Sequence, residues 1–129
     1  MKIEEEARKF MQDRLIITEV MTADFYESQA GQTAIFPKEK ALEYLALGLT
    51  SEAGEVAGKV KKLIRDGDDK EGFELKKIAI SHEIGDVLWY CAMMAKEVGV
   101  PLNTIMRENL EKLHSRKERG TLQGSGDDR

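Results

Sequence analysis

The 129-residue chain contains little cysteine, proline or aromatic side chain, and it has no long apolar run. Its one cysteine, Cys91, has no second cysteine to pair with, which excludes an internal disulfide framework. No stretch approaches the roughly 18 consecutive apolar residues of a membrane-spanning helix. Acidic residues also interrupt the region where a signal peptide would lie, namely Glu4, Glu5, Glu6 and Asp13. We therefore expect a cytoplasmic protein with no membrane partner.

The chain also lacks a strong excess of charge of one sign. Its 20 basic and 24 acidic residues leave a formal charge of −4, and the acidic side chains are spread along the sequence. Such a surface gives no general attraction to nucleic acid, so we expect no nucleic-acid partner. The content of 41% hydrophobic and 34% charged residues is typical of a folded protein, and the length suits one domain.

Helix-breaking residues are sparse, and the segments between them consist mainly of Leu, Ala, Glu, Lys, Met and Arg, which favour helices. The sequence thus predicts an all-α fold. A first helical segment runs from Ile3 to about Val20, and Thr22 is a candidate cap for a further short helix, so the sequence leaves open whether this region is one helix or two. Two long helices follow, from about Lys40 to Arg65 and from about Phe73 to Val98, and Pro101 opens the last helix.

Two connecting segments are predicted to be non-helical. Thr33 to Pro37 is an expected extended connector, because Ile35 is β-branched and the residue before a proline avoids the helical region. Asp66 to Gly72 is an expected polar turn. We divide the chain into an N-terminal helical extension over residues 1–21, a helical core over 22–117 and a polar, glycine-rich tail over 118–129.

Both long helices carry an apolar stripe at helical spacing. Part of the second one, from Ile84 to Ala95, is apolar nearly all round. A single chain of this length has difficulty covering such a segment on every side. We expect this segment at the centre of a bundle or against another subunit.

Four acidic residues stand at the edges of these stripes. Glu52 and Glu55 share one side of the first long helix, and Glu83 and Asp86 have the same arrangement on the second. In an antiparallel helix pair, Glu52 comes opposite Asp86 and Glu55 opposite Glu83, since both pairs are symmetric about residue 69. The pattern predicts four carboxylates at one level, although acidic pairs at this spacing also occur on solvated helix faces.

A cation is the expected partner of these carboxylates, because burying so many like charges without compensation is costly. No Lys or Arg at that level points from the same two stripes. A set made only of carboxylates suits a hard ion, Mg²⁺ or Mn²⁺, which commonly binds together with substrate phosphates. Di-iron bundles use Glu-x-x-His pairs. Here Glu55 and Asp86 stand at the equivalent places, which disfavours iron.

The last helix carries a second polar set. Asn109, Lys112 and Arg116 follow one another at spacings of three and four residues along one edge of its apolar stripe. Together with a metal centre, an amide and two cations suit a phosphorylated ligand. The alternative is a solvated basic helix end, which the helix dipole also favours.

These motifs resemble the MazG-type, all-α nucleoside triphosphate pyrophosphohydrolases. The hallmark of that family reads here as Glu52-x-x-Glu55, a gap of 27 residues, and then Glu83-x-x-Asp86. Residues 47–56, 85–90 and 109–113 are also similar to family segments, and the likeness extends from about Tyr26 to Arg116. The ending over residues 119–127 resembles that of short, single-domain members, including phage-encoded ones.

The resemblance implies a four-helix-bundle-like core that assembles as a dimer or a dimer of dimers. It also implies cleavage of a nucleoside triphosphate between its α and β phosphates, giving monophosphate and pyrophosphate. Two or more Mg²⁺ ions, or Mn²⁺ in their place, would be held by Glu52, Glu55, Glu83 and Asp86. Glu52 is the candidate to orient or deprotonate the attacking water, with Glu55 beside it in the catalytic pair.

The same resemblance assigns substrate binding to Asn109, Lys112 and Arg116, and it leaves the base open among dUTP, dCTP, dGTP and modified deoxynucleotides. Lys59 lies one turn beyond the acidic motif and is placed to reach phosphates. Trp89 and Tyr90 follow the second motif and are placed to stack on a base. A solvated lysine and apolar packing of the tryptophan are the alternatives. The competing functional hypothesis is a non-catalytic, metal-stabilised helical oligomer.

Overall fold

A computed structural model describes residues 2, 4–6, 20–67 and 69–129 of the chain. Residues 2 and 4–6 are helical, four α-helices follow from Ala23 on, and the described residues contain no β-strand, which confirms the predicted all-α fold. The helices are α1 (Ala23–Gly31), α2 (Ala41–Asp66), α3 (Lys70–Val98) and α4 (Leu102–Glu118), and a short 3-10 helix over Lys38–Lys40 leads into α2. In the part described, no helix is long and apolar enough to cross a membrane.

The start of α1 is fixed by its cap. The hydroxyl oxygen of Thr22 accepts a hydrogen bond from the Phe25 amide at 3.0 Å, as predicted for a helix N-cap. The connector from Thr33 to Pro37 contains no helix, which confirms the prediction for that segment. The predicted helix from Ile3 to Val20 lies almost entirely outside the described residues.

Helices α2 and α3 form an antiparallel hairpin, which is the main packing contact of the fold. Gly67 ends α2 with a φ of 61°, a conformation that a side chain would strain. The Asp69 carboxylate then accepts a hydrogen bond from the Gly72 amide at 2.8 Å. This cap starts α3 at Lys70, three residues before the predicted start at Phe73, so the turn is shorter than the sequence indicated.

Helix α4 leaves the hairpin at the far end. Gly99, with a φ of 74°, ends α3, and Pro101 precedes the first turn of α4, as predicted. A carboxylate oxygen of Glu27 accepts a hydrogen bond from the Leu102 amide at 3.3 Å, which ties α1 to the start of α4. Helix α4 contacts α1 and α3, and it has no contact with α2 in the described part of the chain.

The core is small and lies toward the end of the hairpin that is remote from its turn. Leu45 is fully buried there, and it packs with Ala30, Ala92 and Met93. Aromatic side chains from three segments, Tyr26, Phe36, Trp89 and Tyr90, surround this cluster. The acidic residues of the two motifs therefore lie between the core and the turn.

The apolar segment from Ile84 to Ala95 divides into two parts. Ala92, Met93 and Ala95 are buried in the core, whereas Ile84 is 48% exposed and Leu88 is 51% exposed. The half of the segment that is nearer the acidic residues thus presents apolar side chains at the surface of the single chain.

Candidate functional site

Three of the four predicted carboxylates meet between α2 and α3. One oxygen from each of Glu52, Glu83 and Asp86 lies within 4.8 Å of the others. Glu52 projects from α2, and the two acids of the second motif lie on α3 because a spacing of three residues keeps them on one side of the helix. Three carboxylate oxygens at this separation are a donor set that fits a hard divalent cation such as Mg²⁺ or Mn²⁺.

Glu52 is the most strongly perturbed acid of this cluster. Partial burial raises its pKa, and the charges of Asp86, Glu83 and Glu55 raise it further. A hydrogen bond shared with Glu83 acts in the same direction. All of these causes favour the protonated form of Glu52 where no positive charge compensates its carboxylate.

Lys59 supplies one such charge, and it corrects the prediction that no Lys or Arg reaches this level. Its ammonium nitrogen lies 3.0 Å from a carboxylate oxygen of Glu83. Helical side chains lean toward the N-terminus of their helix, so the long stem of a lysine one turn further along α2 reaches back to the acids. The contact raises the pKa of Lys59, chiefly through its hydrogen bond to Glu83.

Glu55, the remaining predicted ligand and catalytic residue, is exposed and stands outside the group of three. It is near enough to raise the pKa of both Glu52 and Lys59 by its charge. The expected pairing of Glu55 with Glu83 is replaced by the ion pair between Lys59 and Glu83.

Trp89 is half-buried at the edge of the core. Its indole N–H donates a hydrogen bond to the Thr33 hydroxyl at 2.8 Å. Its ring meets Phe36 edge-to-face at a centroid distance of 6.5 Å, and Tyr90 in the same way at 4.9 Å. These contacts hold the indole within the protein. They agree with the alternative prediction that Trp89 packs against apolar neighbours and does not stack on a base.

Two tyrosines lie near the acids, and neither was among the predicted metal or phosphate ligands. Tyr90 has a raised pKa because of burial, a hydrogen bond with Tyr44 and the charges of Glu52 and Asp86. Burial and the charge of Asp86 also raise the pKa of Tyr26 on α1. In the sequence, Tyr90 stands one helical turn beyond Asp86, and this spacing was the signal that it lies near the acids.

The predicted phosphate-binding residues of α4 are in two different environments. Asn109 and Lys112 are exposed. Arg116 is buried, with 7% of its surface exposed, and it donates a hydrogen bond to the main-chain oxygen of Asp127 at 2.7 Å. Helix α4 does not contact α2 in the described fold, so these residues have no direct contact with the helix that carries Glu52.

Comparison with known proteins places these features in a family. The model of the MazG nucleotide pyrophosphohydrolase domain matches residues 40–121, a range that includes both acidic motifs and Arg116. The chain is also 44% identical over 115 residues to the Gene 37 protein of Mycobacterium phage L5, an alignment that covers 84% of this chain and all of that protein. No solved structure matches the chain. From the family match and the acidic cluster together, we conclude that the chain belongs to the MazG nucleotide pyrophosphohydrolase family.

Proposed function

We propose that the protein hydrolyses a nucleoside or deoxynucleoside triphosphate between the α and β phosphates, and so controls a nucleotide pool. The products are a monophosphate and pyrophosphate. The observation that carries the proposal is the meeting of Glu52, Glu83 and Asp86 within 4.8 Å in a domain of the MazG family. Candidate substrates are dUTP, dCTP, dGTP and modified deoxynucleotides.

In this proposal Glu52, Glu83 and Asp86 hold Mg²⁺, and Mn²⁺ can take its place. Glu55, whose charge acts on Glu52 from the next turn of α2, completes the ligand set for two or more ions. When bound, the metal supplies positive charge to the phosphates and lowers the pKa of water. The ion pair of Lys59 with Glu83 supports the assignment, because it places a positive charge against one of these carboxylates.

Glu52 is proposed to take the proton of the attacking water. Its carboxylate belongs to the group of three acids, so it lies within reach of a water molecule held there. Its position opposite Glu83 and Asp86 also lets it orient a water molecule against a substrate held at the same acids. Glu55 supports Glu52 in this role, because its carboxylate places a further negative charge beside that of Glu52.

Asn109, Lys112, Arg116 and Lys59 are proposed to bind the phosphates or sugar, and Trp89 to contact the base. Arg116 has to exchange its hydrogen bond to Asp127 for one to the substrate. Lys59 similarly has to leave Glu83. In this proposal a phosphate oxygen takes the place of the oxygen that each cation contacts in the protein, as suits residues that bind an anionic ligand.

A homodimer or homotetramer is proposed as the working form. Large apolar side chains remain exposed along α3 and α4, with Leu88 at 51%, Met106 at 50% and Leu110 at 54%. Exposed apolar area on this scale usually belongs to an interface between proteins.

A nucleotide screen tests the proposed function. The purified protein is incubated with each common NTP and dNTP in Mg²⁺ and then in Mn²⁺, and a Glu83→Gln variant serves as the control for contaminating hydrolases. The proposal expects turnover of a subset of nucleotides that requires the metal and is absent from the variant. Equal turnover by both proteins would contradict it. A large rise in melting temperature with metal but no turnover of any nucleotide would favour the non-catalytic oligomer.

A further inference from the structure

Gly48 and Tyr90 face each other across the hairpin, one helical turn from the acidic cluster. Gly48 precedes Glu52 by four residues on α2, and Tyr90 follows Asp86 by four residues on α3. The Tyr90 ring lies directly on the backbone at Gly48. A Cβ atom built on Gly48 would lie 2.7 Å from Cδ1 of this ring and would overlap two further ring atoms.

The Tyr90 ring is also held from its other sides. Its hydroxyl is hydrogen bonded to that of Tyr44, which lies one turn before Gly48 on α2. The Tyr44 ring in turn stacks on Phe36 at a centroid distance of 5.5 Å. The edge-to-face contact with Trp89 closes the remaining side. The ring therefore has little freedom to move away from a side chain at position 48.

From this packing we infer that Tyr90 is a positioning residue, whose ring against Gly48 sets the separation of α2 and α3 and thereby the distance between the Glu52 and Asp86 carboxylates. Helices are stiff over a single turn, so a change in separation at the level of Gly48 is passed on to Glu52. Cation binding by carboxylates depends on ligand distance, and Mg²⁺ requires near-ideal geometry. The inference rests on the metal site of the proposed function and uses nothing about the nucleotide.

The first test is Gly48→Ala, with Gly58→Ala as its matched control. Gly58 lies on the same helix, and a Cβ atom there would meet nothing within 4 Å. The measurement is the dissociation constant of Mn²⁺ by titration calorimetry, at a temperature where circular dichroism shows that both variants are helical. Gly48→Ala should weaken Mn²⁺ binding by about 10-fold or more, the usual scale for residues that position metal ligands. Gly58→Ala should bind Mn²⁺ like the unchanged protein.

The second test covers the case in which Gly48→Ala does not fold. Tyr90→Leu keeps an apolar side chain against Gly48 but removes the ring, and Tyr90→Phe keeps the ring and removes the hydrogen bond to Tyr44. We expect Tyr90→Leu to weaken Mn²⁺ binding and Tyr90→Phe to retain most of it. A role only in general stability would lower the melting temperature of both variants without this difference in Mn²⁺ affinity.

The outcomes separate this inference from the proposed function. Unchanged Mn²⁺ affinity in folded Gly48→Ala or in Tyr90→Leu overturns the inference, even if the unchanged protein hydrolyses nucleotides. Weakened Mn²⁺ binding in these variants supports it, even if no nucleotide is a substrate. A failure of the unchanged protein to bind Mn²⁺ overturns both.

Discussion

The ammonium nitrogen of Lys59 lies 3.0 Å from a carboxylate oxygen of Glu83, at the edge of the acidic cluster between α2 and α3. This one positive charge offsets part of the repulsion among three carboxylates. A divalent cation bound at this cluster would therefore compete with Lys59 for the Glu83 carboxylate.

Replacing Lys59 should strengthen metal binding. We expect Lys59→Met to raise the affinity for Mn²⁺ by up to about 5-fold, because a partly exposed ion pair contributes little more than that. The melting temperature in EDTA should fall, since the acids lose their counter-charge. Lys61→Met, at an exposed lysine two residues further along α2, is the control for titration calorimetry and melting. Weaker Mn²⁺ binding in Lys59→Met would show that the lysine does not compete with the metal.

The stability of the metal-free protein should depend on pH through Glu52. Its pKa is raised in the folded state by partial burial and by the charges of Asp86, Glu83 and Glu55. Such a group stabilises the fold below its unfolded pKa, and this contribution is lost as pH rises through the folded pKa.

The measurement for this pH dependence is the difference in melting temperature between the unchanged protein and Glu52→Gln in EDTA. Effects of titrating groups that the two proteins share largely cancel in this difference. As pH rises from about 4 to about 8, the melting temperature of Glu52→Gln should rise relative to that of the unchanged protein. Saturating Mg²⁺ should reverse it, because the ion compensates the charge of Glu52. A difference that does not vary with pH would contradict the raised pKa.

Glu55 should be needed for turnover although it stands outside the group of three. Glu55→Gln is nearly isosteric and changes an exposed side chain, so helical content should be unchanged. We expect the turnover rate to fall by about 100-fold or more. The matched control is Glu43→Gln, at an exposed glutamate in the first turn of the same helix. Retained turnover in Glu55→Gln would remove Glu55 from the proposed catalytic pair.

Arg116 should act on substrate affinity. If its guanidinium exchanges the Asp127 oxygen for a phosphate, Arg116→Met should raise KM by about 10-fold, the scale of a charge-assisted hydrogen bond, and change kcat less. Arg107→Met, at an exposed arginine on the same helix, controls for the loss of one positive charge. An unchanged KM together with a lower melting temperature would assign Arg116 to anchoring of residues 120–129 alone.

Much of the hairpin could be predicted from the sequence. The expected symmetry about residue 69 agrees with the contact of Gly48 with Tyr90 and with the approach of Glu52 to Asp86. This register follows from three local properties of the chain, namely the helical period, a turn near the middle and two apolar stripes. The N-cap at Thr22 and the helix end at Gly99 were predictable for the same reason.

The details of the site depended on side-chain directions that helical spacing does not give. The reach of Lys59 to Glu83 follows from the conformation of a long, flexible stem, and helical spacing alone does not show that Glu55 lies outside the group of three. The earlier start of α3 follows from one hydrogen bond of Asp69. The burial of Arg116 depends on the path of residues 120–129, where glycines remove the helical pattern.

The measurement that tests the central claim most directly is the identity of the phosphorus products. The nucleotide that the protein consumes in Mg²⁺ is followed to completion, and nucleoside monophosphate, diphosphate, pyrophosphate and phosphate are separated by chromatography. Cleavage between the α and β phosphates predicts equal amounts of monophosphate and pyrophosphate, with neither product formed by Glu83→Gln. Diphosphate together with inorganic phosphate would mean that the β–γ bond is the one broken, and it would contradict the proposed reaction.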